Sequence, residues 1–468
     1  MNSLLFKSVR ELSSLLVSRQ LSARELLDAT FAQIDRVNPG VNAIVTQDRD
    51  GAYANAEAVD ARRVRGDPTS PLAGLPIASK DLEPVKGMRT TMGSPIFKDW
   101  VPDFDTLQIE RFRSHGLTLL GKTNTPEFGL GSQTFNTVFG ATKNPWDVTK
   151  TCGGSSGGAA VSVATGMLPF ADGSDMGGSL RNPANFCGVV GLRPTPGRVP
   201  MVPSPQAWQT LGVLGPIART AEDAAWLLSI QAGDDPRAAF GRCGDPTIFR
   251  EPLDRDFKGV RIAWSPSLGG LPVEKTVRDA LQKSLQRFAA IGAIVEEAEP
   301  DLAIADNAFN VLRALHLLTS IGGHYNNPAT RAQLKDTAIW NIEQGLKLTG
   351  GQIAEAQMQQ STCFDRMRQF LQRYDYFICP VNQVAPFAIS TPYPSAIDGV
   401  QLGSYLDWMK SAFRITMTSH PAASAPVAFT ESGLPTGMQI VGHFGCELEV
   451  LQLVHAVQLP LAERIPPL

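Results

Sequence analysis

The spacing of apolar residues changes repeatedly along this chain. These changes predict a succession of helices and short strands. A capping box at Ser22 opens a helical pattern that runs as far as Asn38-Pro39-Gly40. Nearly uncharged runs at 72–78 and 259–264 indicate buried strands, and the Ala- and Val-rich run at 159–167 indicates a buried helix. This alternation predicts an α/β protein with a covered, parallel or mixed sheet.

Composition narrows the class of protein. Of the 468 residues, 43% are hydrophobic and 19% charged, as in ordinary globular proteins, and no linker-like segment divides the chain. We therefore expect a single domain over 1–468. The net charge of −3, with no basic run, argues against a nucleic-acid partner. No apolar run approaches the roughly 18 residues that a membrane span needs, which favours a cytoplasmic protein. The scattered Cys and His residues predict no metal site and no cofactor.

One segment matches a nucleotide-binding motif. Gly116–Thr123 fits the pattern G-x-x-x-x-G-K-[ST] in full. Its inner residues, Leu-Thr-Leu-Leu, are typical of a buried strand instead of a phosphate cradle, and Pro126 restricts Thr125 against helical torsions. We interpret the segment as a strand followed by a polar turn, which leaves a P-loop NTPase as a disfavoured alternative.

Two glycine-rich segments carry the candidate chemistry. Gly-Gly-Ser-Ser-Gly-Gly occupies 153–158, and Gly-Ser-Asp-Met-Gly-Gly-Ser-Leu-Arg occupies 173–181. Taken singly, each is consistent with a tight turn and solvated serines. A serine nucleophile needs a base, and no histidine is an obvious candidate. Lys80 closes an apolar strand, and a buried lysine with a lowered pKa is the natural alternative.

Taken together, these segments resemble the amidase signature family of serine hydrolases over roughly positions 20 to 455. Further motifs lie at 74–81, 121–128, 144–147, 186–195, 215–219 and 433–442, in the order of the family. The resemblance implies an α/β/α fold with a large mixed central β-sheet covered by helices on both faces. It also implies N-terminal helices over about 1–65, a signature core over about 70–235 and a variable, substrate-shaping region over about 300–411.

The resemblance also implies the residues of a catalytic site. It makes Ser179 the nucleophile, Ser155 the bridging serine after a cis peptide bond from Gly154, and Lys80 the base. The implied oxyanion hole consists of the backbone amides of Met176, Gly177, Gly178 and Ser179, and the implied supports of the loop are Gly154, Asp175 and Arg181.

The activity implied is amide-bond hydrolysis through an acyl-enzyme on Ser179, with an aryl or alkyl amide as substrate. We expect Leu130, Ser132 and Trp208 to contact it. A carbamate (urethane) or urea-like substrate would use the same triad and stays open. A glutaminase subunit of a tRNA-dependent amidotransferase is less favoured, because 300–410 lacks polar, partner-docking character. We expect a small-molecule amide or carbamate as the partner, and a monomer or homodimer.

Overall fold

Short strands and helices follow one another along the chain. The computed structural model describes residues 3–241 and 244–468. Its strands are β1 (Ile44–Gln47), β2 (Pro76–Lys80), β3 (Thr118–Thr123), β4 (Phe135–Asn136), β5 (Gly140–Ala141), β6 (Phe170–Asp175), β7 (Val190–Arg193), β8 (Val213–Ala218), β9 (Arg261–Trp264), β10 (Ile294–Glu297), β11 (Tyr376–Pro380), β12 (Ala396–Ile397), β13 (Val400–Gln401), β14 (Ala422–Phe429) and β15 (Pro435–Val441).

The helices separate these strands. They are α1 (Val9–Val17), α2 (Ala23–Val41), α3 (Arg49–Arg65), α4 (Leu107–Ser114), α5 (Gly157–Ala164), α6 (Arg181–Cys187), α7 (Ala221–Gln231), α8 (Lys275–Ala290), α9 (Ala305–Asn326), α10 (Pro328–Arg331), α11 (Asp336–Leu346), α12 (Gly350–Phe370), α13 (Lys410–Met417) and α14 (Glu447–Val457). Short 3-10 helices lie at Ser3–Phe6, Pro95–Phe97, Glu127–Gly129, Pro246–Arg250, Asp407–Met409 and Leu461–Arg464. In the part of the chain described, no helix combines the length and apolar character needed to cross a membrane.

The large sheet has eight strands in the order β10-β9-β11-β15-β14-β7-β8-β6. Strand β9 is parallel to β10 and β11, and the remaining pairs are antiparallel. Every residue of β8 and β15 is buried. Because successive side chains of a strand point to opposite faces, both faces are covered. Helices α5, α6, α7, α8 and α14 pack against the sheet, and the predicted α/β fold with a mixed, covered sheet is confirmed.

A smaller sheet, β1-β3-β2, contains the segment that matches the nucleotide-binding motif. Strand β3 is buried throughout, and Lys122 Nζ donates to the Glu83 carbonyl. Gly121 is a glycine because a Cβ there would lie 2.0 Å from the Thr46 carbonyl oxygen of β1. The glycine and lysine of the motif therefore serve strand packing, as the strand interpretation predicts.

Helix α2 corrects one predicted boundary. The capping box is present, with Glu25 N donating to Ser22 Oγ at 3.0 Å and Ser22 N donating to Glu25 Oε2 at 2.9 Å. The helix nevertheless continues through Pro39 to Val41. It ends at Asn42, which adopts a left-handed φ of 55°. The stop predicted at Asn38-Pro39-Gly40 is wrong, because the left-handed residue, and not the proline, ends the helix.

The fold brings the two glycine-rich segments to the end of β2. Strand β2 contacts β6, and the two strands end at Lys80 and Asp175. Helix α5 begins just after Ser155 and Ser156, and α6 begins just after Ser179. The ends of two strands therefore meet the starts of two helices.

Candidate active site

A cavity of about 400 Å³ lies where these four elements meet. Ser155, Ser174 and Ser179 lie on one wall, followed by the turn at 175–177. The rest of the lining is mainly apolar and includes Leu82, Met92, Phe97, Phe128, Phe309, Leu317 and Ile321. The hydroxyls are thus at the edge of a space suited to an apolar molecule.

Lys80 is buried behind these serines. Its Nζ lies 2.7 Å from Ser155 Oγ, 2.9 Å from Ser156 Oγ and 3.0 Å from Ser174 Oγ. Burial lowers the pKa of Lys80 to about 7, although the charges of Asp172, Asp175 and Glu83 favour the ammonium form. Near neutral pH the side chain is therefore partly a free amine, which can accept a proton.

Asp172, on β6, holds the main chain of Lys80. Its carboxylate accepts hydrogen bonds from Lys80 N at 3.2 Å, Ser79 Oγ at 3.1 Å and Gln108 Nε2 at 2.9 Å. Burial raises the pKa of Asp172, and the nearby Lys122 opposes the shift. The Lys80 amine therefore extends from the end of β2, whose main chain is held by Asp172 of β6 on one side and by pairing with β3 on the other.

The peptide bond from Gly154 to Ser155 is cis, as the resemblance implies. Gly154 packs against the main chain of Ser132 and Gln133, and a Cβ there would lie 2.9 Å from Gln133 N. A side chain at this position would push the segment away from its neighbour. Glycine therefore lets Ser155 approach Lys80 closely.

Asp175 organises the turn that carries Ser179. Its carboxylate accepts from Gly178 N at 3.0 Å, Leu180 N at 3.1 Å, and Arg181 Nε and Nη2 at 3.0 and 2.9 Å. Burial alone would raise the pKa of Asp175, but Arg181 and Arg193 hold it below its ordinary value. This buried ion pair fixes the turn, consistent with a supporting part for both residues.

The same turn also contributes backbone amides from residues that line the cavity. Within the described chain, the N–H groups of Met176, Gly177 and Ser179 have no acceptor. Gly178 N is occupied by Asp175, so the prediction that it belongs to the oxyanion hole is wrong. Gly178 is a glycine for another reason: its φ is 108°, and a Cβ would lie 2.5 Å from Asn182 Oδ1.

Comparisons with known proteins agree with this geometry. The model of the Amidase family matches residues 25–451. The chain belongs to the amidase signature family. It is 33% identical to an acylamidase of Rhodococcus erythropolis, over 95% of this chain and 93% of that protein. It is also 33% identical to one of the subunits of the glutamyl-tRNA(Gln) amidotransferase of Geobacillus kaustophilus, over 97% of each. The solved structure of a bacterial aryl acylamidase of the family superposes with a TM-score of 0.90 at 31% identity, covering 97% of this chain and 96% of that one.

These matches show the chain to be an amidase, a hydrolase acting on amide C–N bonds. Two predicted substrate contacts, Leu130 and Ser132, line the cavity of the amidase. The third, Trp208, is 78% exposed and is absent from the lining, so that prediction is wrong. Gln209 lines the cavity and exchanges hydrogen bonds of 2.8 and 3.0 Å with the main chain of Gly212. This turn places Gln209 inward and its neighbour outward.

Sequence reasoning placed a substrate-shaping region over about 300–411 but named no substrate contact on α9, which forms one wall of the amidase's cavity. Its contributions recur at helical spacing on one face: Phe309, Arg313, His316, Leu317, Ser320, Ile321 and His324. The helical spacing of these residues is visible in the sequence. A helix face that is buried in the hydrophobic core has the same spacing, so the sequence does not distinguish the two. Neither histidine hydrogen-bonds Ser155 or Ser179 in the residues that the structure describes. Burial, with the charge of Arg313, lowers the pKa of His316 to about 4.

Proposed function

We propose that this amidase hydrolyses aryl or alkyl amides through an acyl-enzyme on Ser179, with Ser155 passing protons between Ser179 and Lys80. The observation that carries the proposal is the 2.7 Å distance from Lys80 Nζ to Ser155 Oγ at the cavity that Ser179 also lines. A buried amine with a pKa of about 7 can act as a base at neutral pH.

The proton transfers follow from this order of groups. Neutral Lys80 takes the Ser155 hydroxyl proton as Ser155 takes the proton of Ser179, whose Oγ attacks the carbonyl carbon. The amides of Met176, Gly177 and Ser179 are free to stabilise the resulting oxyanion. Ser155 then delivers a proton to the departing nitrogen and recovers one from Lys80, because an amine leaves only when protonated. Water, activated along the same path, hydrolyses the ester on Ser179.

The lining of the cavity supports an apolar amide over glutamine. Glutamine carries an α-ammonium group, which needs an acidic partner when it leaves water. Asp175 is the sole carboxylate among the described lining residues, and Arg181 and Arg193 already pair with it. The acylamidase relatives favour the same substrate class. A carbamate or urea-like compound would present a similar carbonyl to the same three residues and is the second candidate.

Ser179→Ala tests the proposal. Purified protein is assayed against aliphatic amides, aryl amides, carbamates and glutamine. We expect turnover of an amide or carbamate, and a loss of at least about 10⁴-fold in kcat for the variant. Ser162→Ala is the matched control, because that buried hydroxyl donates to the Ala159 carbonyl within α5. A sulfonyl fluoride should label the wild type at Ser179. Full activity of Ser179→Ala, or ammonia release from glutamine alone, would contradict the proposal.

The location and the assembly are also part of the proposal. We expect a cytoplasmic enzyme that works as a monomer or homodimer, and size-exclusion chromatography with light scattering tests the oligomeric state.

A further inference from the structure

The α9 wall of the cavity carries a positive charge without a counter-charge. The Arg313 side chain lines the cavity although the residue is only 5% exposed. Its Nη1 donates to Asn341 Oδ1, and its Nη2 donates to Tyr405 OH at 2.7 Å. No carboxylate of the described residues forms an ion pair with it. Both partners are neutral, so the charge itself is left uncompensated.

Other buried arginines show why this one stands apart. Arg181 pairs with Asp175, and Arg414 pairs with Asp306. Arg219 and Arg464 lack ion pairs, but they donate to main-chain carbonyls and tie chain segments together away from the cavity. Arg313 has neither kind of partner. An ion pair or a hydrogen bond to a main-chain carbonyl therefore explains the burial of those four arginines, but neither explains the burial of Arg313.

Neighbouring groups respond to this charge. Burial is the main cause that lowers the pKa of His316 and of Lys335, and Arg313 contributes to both shifts. Glu127 is the acid that acts on Lys335, but its oxygens accept from Ser94 Oγ at 2.7 Å and Lys335 N at 3.0 Å. The negative charge of Glu127 offsets that of Lys335, so the guanidinium of Arg313 is the charge left without a counter-charge at this end of the cavity.

We propose that Arg313 binds a carboxylate of the substrate, so that the amidase prefers amides that carry an acidic group beyond an apolar segment. This inference rests on the proposed function. A guanidinium has five N–H donors, and two are used here, which leaves room for a carboxylate. Phe309 and Leu317 lie one helical turn to either side on α9 and would contact the apolar segment. An amino acid is excluded as the preferred substrate, since its ammonium would find no free acid.

Matched substrate pairs test this preference. Glutaranilic acid against pentananilide places the carboxylate in the acyl part, and 4-(butanoylamino)benzoate against N-(4-methylphenyl)butanamide places it in the amine part. We expect a higher kcat/KM for the acid in at least one pair. Arg313→Met should lower kcat/KM for that acid by about 100-fold, because it removes one partner of a buried charge pair. The neutral amide should change by less than about threefold, and Arg313→Lys should recover part of the loss.

Two controls separate this inference from the proposed function. Arg414→Met removes a guanidinium that lies off the cavity lining and should leave the acid-to-neutral ratio unchanged. Calorimetry with the Ser179→Ala variant, with and without Arg313→Met, measures binding of 4-(butanoylamino)benzoate and glutaranilic acid without turnover.

Arg313-dependent binding with no hydrolysis of any of the four compounds would overturn the proposed function alone. Hydrolysis of the neutral amides, with no preference for acids and no Arg313-dependent binding, would overturn the carboxylate site alone. Thermal unfolding reports whether each variant is folded, and Arg313→Lys keeps the test decisive if Arg313→Met does not fold.

Discussion

The two walls of the cavity are built differently. On the serine wall, Lys80 and the Ser179 turn are each held by a buried aspartate with several hydrogen bonds. On the α9 wall, Phe309, Leu317 and Ile321 offer apolar surface, and Arg313 alone adds a charge. The difference follows from what each wall does in the proposed reaction. Proton transfer requires donor and acceptor within hydrogen-bond distance, whereas binding an apolar group requires only shape.

The largest expected effect concerns the base on the serine wall. Lys80→Met should lower kcat by about 10³- to 10⁴-fold, because Ser155 would lose its proton acceptor. Steady-state assays on an aryl amide measure the loss. Lys122→Met is the matched control, a second buried lysine on the adjacent strand. We expect it to be less stable, because Asp81 and Asp172 lose a nearby positive charge, yet to keep most of its kcat once folded. An equal loss of kcat in both variants would refute the proposal that Lys80 is the base and that Lys122 contributes only to stability.

The ion pair beneath the Ser179 turn should dominate stability. Asp175→Asn would leave Arg181 and Arg193 buried without a negative charge, at a cost of about 3–5 kcal/mol in the free energy of unfolding. Urea denaturation followed by circular dichroism measures it. The exposed pair of Asp301 and Arg366 serves for comparison, since Asp301→Asn should cost less than about 1 kcal/mol. Similar costs for the two variants would show that the turn does not depend on its buried charge.

The pH dependence of activity distinguishes the bases on the two walls. Burial lowers the pKa of Lys80 from 10.5 to about 7, and only its neutral form accepts a proton. Below that pH, kcat/KM should therefore fall about tenfold per unit, and above it the rate should level off. His316→Gln should leave the position of this limb unchanged. A limb near pH 4 that disappears in His316→Gln would instead assign the base to the α9 wall.

The smallest effects belong to the apolar wall and its surroundings. Ile321→Ala removes buried surface at the cavity and should lower kcat/KM for an aryl amide by about tenfold, chiefly through KM. Trp208→Ala, on the exposed side of its loop, should stay within about twofold of the wild type. The same kinetic assay compares them. A larger loss in Trp208→Ala would show that the loop closes over the substrate.

The sequence predicted the serine wall far better than the α9 wall. Its residues lie in short contiguous segments, and the glycines at 153–158 and 177–178 mark where main chains approach closely. Ser156 and Ser174 were overlooked as neighbours of Lys80, although they belong to those same segments. The error at Gly178 arose because a hydrogen bond across the turn, from Gly178 N to Asp175, decides which amides stay free. The error at Trp208 arose because the exposure of a side chain depends on the path of its loop, which the sequence does not show.

By itself, the amino-acid sequence determined the α/β class, the strand nature of the nucleotide-motif match, and the family, because periodicity and contiguous motifs are local properties. The tertiary structure alone decided that Lys80 reaches three serines, that Asp175 occupies Gly178 N, and that Arg313 enters the cavity without an acid. These outcomes depend on burial and on partners far apart in the chain. A pKa near 7 for Lys80, or an uncompensated charge at Arg313, exists only once the chain has removed water from both.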